Sequence, residues 1–581
     1  MRKQVKAISA ATLAAVCLAG TLSGCAPTET VTVYTYREGV HYSNQIDEAA
    51  DGSYDKGLFM LNTVARNMPD PAVIYVDDED SEYNGQYLLF GTGSTYDYTC
   101  YSSYDLVNWT YCSQAFTPNS ASWGRDTLWA PEVIYDADTD LYYLFYSASY
   151  SALLESNGGP AVNSFNACVL NVAVSENPEG PYMEYSEYEL RRKAAEEGTT
   201  VTDEQLAQAL SEPTYDQQAF SDALPEDERT NCFIAIDPSP FVDPVTGKKY
   251  LYMARDREGD IQHSWIYVVE MEDWATPKYE TITRLTYADD AGYERSGNGI
   301  NEGPQMTYNA NNGKYYLQFS VNDYGNDTYC TGQAVGDSPM GPFRKLTVEE
   351  GGLFIYSADN EGVSGAGHHC MITVNGQMYA LYHRHVDPAE GGDARAATID
   401  SVSWVKNSDG LEVLHLNGCS TTLQLSPVSD YKNIATEAEV TVSEGENASA
   451  LNDGVIRTHS TIEPWIKEYE MSGDSATITL TFDDYRTVAG IMLYNSLDYD
   501  KTFEKISSIR FDCMINDEHS YVDILDLEFN PSYLENGTTV PGAAAIASFA
   551  DIQVKSVTIT LNRMYADQAM LAIGEICVIG K

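Results

Sequence analysis

Between residues 60 and 427, hydrophobic and polar positions form short, tyrosine-rich apolar runs separated by polar turns. Five times, a turn containing Asn-Gly, Thr-Gly or Asp-Thr-Asp precedes a run such as Tyr87-Leu88-Leu89-Phe90. A turn of this kind before a run rich in aromatic residues is typical of a β-hairpin. The chain is therefore expected to be rich in antiparallel β-structure. The tyrosines that mark the five runs are Tyr87, Tyr142, Tyr250, Tyr315 and Tyr379.

The spacing of these tyrosines predicts the architecture. Successive intervals are 55, 108, 65 and 64 residues. The long interval contains a polar insert, residues 184–230, in which Thr202 and Gln205 form the capping pattern of a helix N-terminus. Without the insert, the repeat is about 60 residues throughout, so the chain contains five similar β-units. Residues 60–427 are therefore predicted to form a five-bladed β-propeller in an all-β protein.

The repeat ends near Pro427, and a second β-rich unit follows. Residues 477–482 and 554–561 alternate between apolar and polar side chains. Alternation with a period of two predicts half-buried strands, and hence a β-sandwich of the jelly-roll type over residues 428–581. Residues 25–59 are interpreted as a linker.

A polar residue stands at the head of the apolar strand that precedes each hairpin. If these strands are the innermost ones, propeller symmetry brings their first residues together around one axis. A single Asp-Pro or Glu-Gly-Pro is usually a turn signal, but five polar residues at one repeat position favour a functional funnel of four carboxylates and one imidazole. These residues are Asp70, Glu132, Asp237, Glu302 and His368.

These segments resemble glycoside hydrolase family 43, whose members are five-bladed propellers. The resemblance implies that Asp70 is the general base, that Asp237 tunes and orients, and that Glu302 is the general acid. It also implies a structural ion, frequently calcium, beside His368, held directly or through water. The motifs that carry it are Pro69-Asp70-Pro71, Trp129-Ala130-Pro131-Glu132, Ile236-Asp237-Pro238, Glu302-Gly303-Pro304, Gly341-Pro342-Phe343 and Gly365-Ala366-Gly367-His368.

The chemistry of inverting glycoside hydrolysis fits these residue types. One carboxylate deprotonates a water molecule and one carboxylic acid protonates the leaving oxygen, with roughly 6.5–9.5 Å between them. Asp70 and Glu302 belong to the first and fourth repeats, so an axis can separate them. Asp237, on the repeat next to Glu302, supplies the like charge that raises the pKa of the acid.

Three further residues are candidates for substrate contact. Trp129 could stack on a sugar ring, and packing between blades is the alternative. Arg395 resembles the sugar-binding arginine of the family, and a surface ion pair is the alternative. His383, in the segment Tyr382-His383-Arg384-His385, is a neighbouring candidate.

The resemblance implies an inverting glycosidase that releases terminal pentose or furanose residues from plant or microbial oligo- and polysaccharides. An α-L-arabinofuranosidase is the first expectation, and a β-xylosidase or galactofuranosidase is the alternative. A non-catalytic glycan-binding surface lipoprotein is the alternative of another class, and the intact set Asp70, Asp237 and Glu302 argues against it.

The C-terminal unit resembles discoidin-like (F5/8 type C) domains, many of which bind carbohydrate. The resemblance rests on Asn433-Ile434-Ala435-Thr436, Leu451-Asn452-Asp453-Gly454 and Ile573-Gly574-Glu575-Ile576. Trp465, Tyr469 and Tyr499 could stack on a glycan, and buried packing is the alternative for each.

The N-terminus predicts export. Residues 1–24 contain a basic start and an apolar stretch, which is typical of a signal peptide. They end at Leu22-Ser23-Gly24-Cys25, which resembles the lipobox of bacterial lipoproteins, so a membrane tether through acylated Cys25 at the cell surface is expected, with an ordinary secretory signal as the alternative. A formal net charge of −52 excludes a non-specific nucleic-acid binder, because phosphates require cations.

Overall fold

The computed structural model shows an all-β protein whose described residues form five sheets of four or five strands, one two-stranded sheet and one large C-terminal sheet. The predicted signal peptide and Cys25 lie outside the described part of the chain. Within that part, no helix is both long and apolar enough to cross a membrane. The described residues are 33–35, 57–60, 62, 67–150, 167–229, 233–257, 260–288, 291–294, 299–357, 362–420, 423–459, 462–463, 465–529, 542–563 and 569–581.

The predicted five-bladed propeller is confirmed. Each blade is an antiparallel sheet whose strands follow one another in chain order. The strands of blade 1 are Ala72–Tyr75, Tyr87–Phe90, Tyr98–Ser103 and Thr110–Phe116, and those of blade 2 are Trp129–Asp136, Leu141–Ser149, Cys168–Ser175 and Met183–Glu184. Four of the five marker tyrosines lie at the first or second residue of the second strand of a blade, and Tyr379 lies at the third.

The remaining three blades repeat this arrangement with small additions at their outer edges. Blade 3 contains Ala235–Val242, Lys249–Arg257, Asp260–Asp273, Thr276–Pro277 and Thr283–Arg284. Blade 4 contains Asn301–Asn309, Lys314–Val321, Cys330–Gly336, Phe343–Lys345 and Leu353–Ile355. Blade 5 contains Gly367–Val374, Gln377–His385, Arg395–Lys406 and Glu412–Leu416. The first strand of every blade contacts the first strands of its two neighbours, and blade 5 closes the ring against blade 1.

The head of each first strand shares an unusual backbone conformation. A register shift interrupts the pairing of the first two strands in blades 2 to 5, as expected for a β-bulge. A positive φ costs a non-glycine residue about 1–3 kcal/mol and is typical of functional sites. The residues with positive φ at this position are Asp70 (53°), Ala130 (42°), Asp237 (55°), Gly303 (52°) and His368 (44°).

The insert between blades 2 and 3 contains three helices, α1 (Tyr185–Glu197), α2 (Asp203–Ala209) and α3 (Gln217–Ala223). The predicted capping box is present, because Thr202 caps α2 and Gln205 bonds back to it. The insert packs on the propeller rather than extending from it. The backbone N–H of Trp123 donates to Leu210 O at 2.8 Å.

The C-terminal domain is the predicted β-sandwich. Its two longest strands, Ser475–Asn495 and Ala544–Asn562, pair along their length with register shifts near their centres. Bulges bend strands, so the sheet folds around a large hydrophobic core. The other strands are Val33–Thr35, Lys432–Asn433, Glu439–Val442, Tyr469–Met471, Lys505–Ile515, Glu518–Glu528 and Leu571–Gly580.

Segments that precede blade 1 connect it with later parts of the chain. Val33–Thr35, within the predicted linker, pairs with Ala544–Asn562 of the sandwich, and Phe59–Met60 pairs with Gln424–Leu425. The backbone N–H of Met68 donates to Arg395 O at 2.7 Å, which ties blade 1 to blade 5.

Candidate active site

Asp70 lies at the head of blade 1 and is buried. Its Oδ1 lies 3.1 Å from Nη1 of Arg395, 3.3 Å from Nδ1 of His383 and 3.4 Å from Nδ1 of His368. Burial by itself raises the pKa of Asp70, but the charge of the Arg395 guanidinium, the largest opposing influence, outweighs it and the pKa is held well below its ordinary value. Asp70 is therefore ionised and is suited to accept a proton from water.

Asp237 holds the backbone segment that carries Glu302. Its Oδ2 accepts a hydrogen bond from the backbone N–H of Gly303 at 2.9 Å. A Cβ at Gly303 would lie 3.1 Å from the ring of His368, and the φ of this residue is +52°. Both features require glycine. The Glu-Gly-Pro motif thus lets the strand pass close to His368 and brings Glu302 beside Asp237.

Tyr329, a residue that the sequence analysis did not identify, holds the carboxyl group of Glu302. Its hydroxyl donates to Oε1 of Glu302 at 2.7 Å. Tyr329 precedes the third strand of blade 4, Cys330–Gly336, and belongs to none of the repeated motifs. The third strand of a blade runs parallel to the first, so a residue before it lies at the same end of the blade as Glu302. That position is the sequence signal from which Tyr329 could have been found.

The environments of the three carboxyl groups separate their pKa values. Burial raises the pKa of Asp237 well above its ordinary value, and the Glu302 and Asp70 carboxylates raise it further. Burial raises the pKa of Glu302 to about 7, with the hydrogen bond from Tyr329 acting against it. Neighbouring carboxyl groups resist joint ionisation, so the pair of Asp237 and Glu302 retains a shared proton near neutral pH. An ionised Asp70 facing a protonated partner is the division that acid–base catalysis needs.

His383 lies beneath Asp70 and not on the wall of the cleft. Its side chain is 0% exposed, and its Nδ1 accepts a hydrogen bond from the backbone N–H of Asp70 at 3.2 Å. Burial, followed by the charge of Arg395, lowers the pKa of His383 to about 3, so the ring is neutral. His383 has no exposed surface with which to contact a sugar, contrary to the expected substrate contact, and it instead orients Asp70.

His368 does not belong to a side-chain calcium site. Calcium prefers six to eight oxygen ligands. Within the described ranges there is no group of three or more His, Cys, Asp or Glu side chains that could hold a metal ion. The donors at His368 are one imidazole and the carboxylate of Asp70, which already contacts Arg395. These two side chains are too few to ligate calcium by themselves, so an ion held through water beside His368 stays a prediction, and we assign no step to it.

Arg395 joins the base to the rim of the cleft. Its Nη1 donates to Oδ1 of Asp70 at 3.1 Å, and its guanidinium lies 4.5 Å from the ring centroid of Tyr324. Tyr324 is 40% exposed, whereas the side chain of Arg395 is 14% exposed. The ion pair of Arg395 is therefore part of the site and not a surface contact.

Trp129 begins the first strand of blade 2 and is half-buried. Its carbonyl oxygen accepts hydrogen bonds from the hydroxyl of Tyr98 at 2.9 Å and from Ser147 at 3.2 Å. Its side chain packs against a hydrophobic cluster that includes Ile236 of blade 3. Packing between blades therefore accounts for much of the ring.

The expectation that Glu132 joins the other carboxylates at the heads of the strands is wrong. The residue of blade 2 that corresponds to Asp70 and Asp237 is Ala130, which has the same positive φ. Glu132 lies two residues further along the strand, where burial raises its pKa to about 8. A sequence signal existed, because Asp70, Ala130, Asp237 and Gly303 each precede a proline.

The aromatic candidates of the sandwich serve packing where their side chains are described. Tyr469 is 0% exposed and belongs to the hydrophobic core. Trp465 packs edge-on against His415 of blade 5, with ring centroids 6.2 Å apart. The side chain of Tyr499 lies outside the described part of the chain.

Comparison with known proteins gives one sequence family. The chain matches glycosyl hydrolases family 43 over residues 61–201 and 219–410. The interval between the two matched ranges lies within the helical insert. A β-D-galactofuranosidase of Aspergillus niger is 26% identical over 372 residues, which are 61% of this chain and 86% of the relative.

Two solved structures are also similar to the chain. A thermostable family-43 glycoside hydrolase is 23% identical with a TM-score of 0.47, covering 64% of this chain and 98% of that one. An endo-1,4-β-xylanase from Bacteroides thetaiotaomicron is 26% identical with a TM-score of 0.45, covering 64% and 99%. The assignment below rests on the family match and on the geometry of the site, not on these scores.

Proposed function

Because the chain belongs to glycosyl hydrolases family 43 and is therefore a glycosidase, we propose that it hydrolyses terminal α-L-arabinofuranosides with inversion of configuration. The observation that carries the mechanism is the opposite displacement of two pKa values. That of Asp70 is held well below its ordinary value, and that of Glu302 is raised to about 7. One group is thus poised as a base and the other as an acid at the same pH.

Asp70 and Glu302 each carry out one proton transfer of the reaction. Asp70 takes a proton from a water molecule as the water oxygen bonds to the anomeric carbon. Glu302 gives its proton to the glycosidic oxygen as the bond from that oxygen to the anomeric carbon breaks. Because water attacks the face opposite the leaving group, the configuration inverts and no covalent intermediate forms. Asp237 keeps the Gly303 segment in place and disfavours ionisation of Glu302.

The second candidate substrate is a β-D-galactofuranoside, which the similarity to the Aspergillus niger enzyme favours. The two furanosides share the configuration of the ring carbons, and the galactofuranoside carries one additional hydroxymethyl group. A cleft that accepts one ring therefore distinguishes the other by the space beyond C5. A β-xyloside, with a six-membered ring, is the third candidate and the least similar in shape to the first two.

A panel of nitrophenyl glycosides tests the substrate. The α-L-arabinofuranoside, β-D-galactofuranoside and β-D-xyloside are compared at equal concentration with the wild-type enzyme and with Asp70→Asn as the inactive control. The highest kcat/KM is expected on the arabinofuranoside. A preference of tenfold or more for either other substrate would transfer the proposal to that sugar.

We also propose that the protein is exported and tethered to a bacterial membrane through acylated Cys25. The proposal is supported by the lipobox-like sequence Leu22-Ser23-Gly24-Cys25. Labelling of the full chain with a radioactive fatty acid is expected, and Cys25→Ser should abolish it. Labelling that persists in the variant would contradict the tether.

A further inference from the structure

Tyr329 contacts both halves of the acid–base machinery. Its hydroxyl donates to Oε1 of Glu302 at 2.7 Å. Its ring lies parallel to that of His383, with centroids 5.5 Å apart and 6° between the planes. His383 in turn accepts the backbone N–H of Asp70 at 3.2 Å. One rigid side chain therefore links the acid with the residue that orients the base.

The surroundings of Tyr329 leave its ring little freedom. The residue is 1% exposed, and its backbone N–H donates to Asn326 O at 3.2 Å. A Cβ at Gly367, on the first strand of blade 5, would lie 2.6 Å from the ring. The glycine is thus needed for the ring to lie against the blade, and the close contact fixes where the hydroxyl points.

We propose that Tyr329 is the positioning residue of the general acid. Its hydroxyl occupies Oε1 of Glu302, so that Oε2 carries the proton to the leaving oxygen. The proposal rests on the proposed function, because it takes Glu302 as the acid. A carboxylic acid has a single O–H donor, and its other oxygen accepts. Since Oε1 already accepts from Tyr329, the oxygen left to donate is Oε2.

The hydrogen bond also has a predictable effect on acidity. A phenol donates more strongly to a carboxylate than to a neutral carboxylic acid, so the bond stabilises the ionised form of Glu302. Tyr329 therefore keeps the acid strong enough to release its proton, while burial keeps it protonated. Loss of the hydroxyl should leave an acid that is harder to ionise and free to rotate.

The test compares Tyr329→Phe with a matched control. Tyr267 of blade 3 is likewise buried, and its hydroxyl donates to Oε2 of Glu228 at 2.6 Å, away from the site. Tyr267→Phe thus removes the same kind of bond without touching Glu302. In Tyr329→Phe the alkaline limb of the kcat/KM profile should move up by about one pH unit. Turnover of an oligosaccharide should fall about tenfold more than turnover of a nitrophenyl glycoside.

A second variant should shift the alkaline limb of the kcat/KM profile in the opposite direction. Site-specific replacement of Tyr329 by 3-fluorotyrosine keeps the ring and strengthens the O–H donor. The alkaline limb should then move to lower pH, opposite to its movement in Tyr329→Phe. A structural effect of substitution alone would not produce shifts of opposite sign.

The outcomes separate this proposal from the proposed function. If the wild-type enzyme hydrolyses none of the glycosides, the proposed function fails. Infrared titration of the Glu302 carboxyl, assigned with Glu302→Gln, then tests Tyr329 directly. An upward shift of the Glu302 pKa in Tyr329→Phe supports the positioning role. An unchanged titration, or an equal shift in Tyr267→Phe, overturns it.

Discussion

Nη1 of Arg395 lies 3.1 Å from Oδ1 of Asp70, so the residue expected to bind sugar is also the closest cation to the base. The arginine acts on both members of the acid–base pair. Its charge lowers the pKa of Asp70 and, from a greater distance, that of Glu302. One positive charge at the centre of the site thus sets the position of the whole pH profile.

Arg395→Gln is therefore expected to move both limbs of the kcat/KM profile to higher pH. The acidic limb moves up because Asp70 must be ionised to act, and the alkaline limb moves up because Glu302 must be protonated. Arg395→Lys keeps the charge and should leave both limbs near their wild-type positions, although KM rises. Profiles measured with a nitrophenyl glycoside check this, and limbs that move in opposite directions would contradict it.

Much of the fold could be predicted because short local motifs mark each repeat. The marker tyrosines report the second strand of each blade, and the capping box at Thr202 reports a helix that the structure contains. The predicted position of Glu132 was wrong because the start of the apolar run does not mark the residue at the centre of the propeller. The bulge before the run, marked by the proline after Ala130, sets which residue reaches the centre.

The parts of the site that sequence could not supply depend on contacts between blades. Tyr329 of blade 4 reaches the centre because Gly367 of blade 5 leaves room for its ring. The burial of His383 likewise depends on Asp70 of blade 1 lying above it. Trp465, a predicted candidate for glycan contact, packs against His415 of blade 5. Each outcome requires the relative position of segments far apart in the chain.

Glu302→Gln should distinguish substrates by their leaving groups. A sugar alkoxide needs protonation to depart, whereas a nitrophenolate departs with little help. Activity on an oligosaccharide should fall by a factor on the order of 10²–10⁴, and activity on a nitrophenyl glycoside should fall far less.

Asp70→Asn is the contrasting variant for this measurement. It removes the base that activates water, so it should be severely impaired on both substrates. Proton NMR of the first sugar released by the wild-type enzyme should show the inverted anomer. Equal losses on both leaving groups in Glu302→Gln, or a retained anomer, would refute the assignment of roles.

Asp237→Asn should narrow the pH profile of kcat/KM, because its alkaline limb should move to lower pH. The asparagine oxygen can still accept from the backbone N–H of Gly303, so the strand keeps its position. The carboxyl that competes with Glu302 for a proton is removed, so the pKa of Glu302 falls and the alkaline limb moves to lower pH.

Asp400 provides the control for Asp237. It is buried in blade 5, where it accepts from Tyr382 at 2.6 Å, and burial raises its pKa to about 6. Asp400→Asn therefore removes a titrating carboxyl in the same pH range without touching the site. The alkaline limb of the kcat/KM profile of Asp400→Asn should stay in place even if this variant is less stable than the wild type. A shift equal to that of Asp237→Asn would argue against a local effect.

The contact between propeller and sandwich should depend on pH through His415. This residue of blade 5 is buried, with Nδ1 3.3 Å from Oε1 of Glu463 and Nε2 2.8 Å from Ile456 O. Both partners are acceptors, so only the imidazolium can donate to both. Burial acts against the charge, but Glu463 outweighs it and raises the pKa of His415.

The direction in which stability changes with pH follows from the raised pKa of His415. A folded-state pKa above the unfolded value, about 6.5, gives stability that is complete below pH 6.5 and is lost as pH rises through the folded value. His415→Gln should therefore lower the free energy of unfolding by about 1–3 kcal/mol at pH 6 and by less at pH 8.5. The exposed pair of His519 and Asp512, 2.7 Å apart, is the control, because a solvent-exposed ion pair contributes little. Denaturant unfolding at the two pH values measures the difference, and a loss in His415→Gln that is the same at both would show that His415 acts by packing and not by its charge.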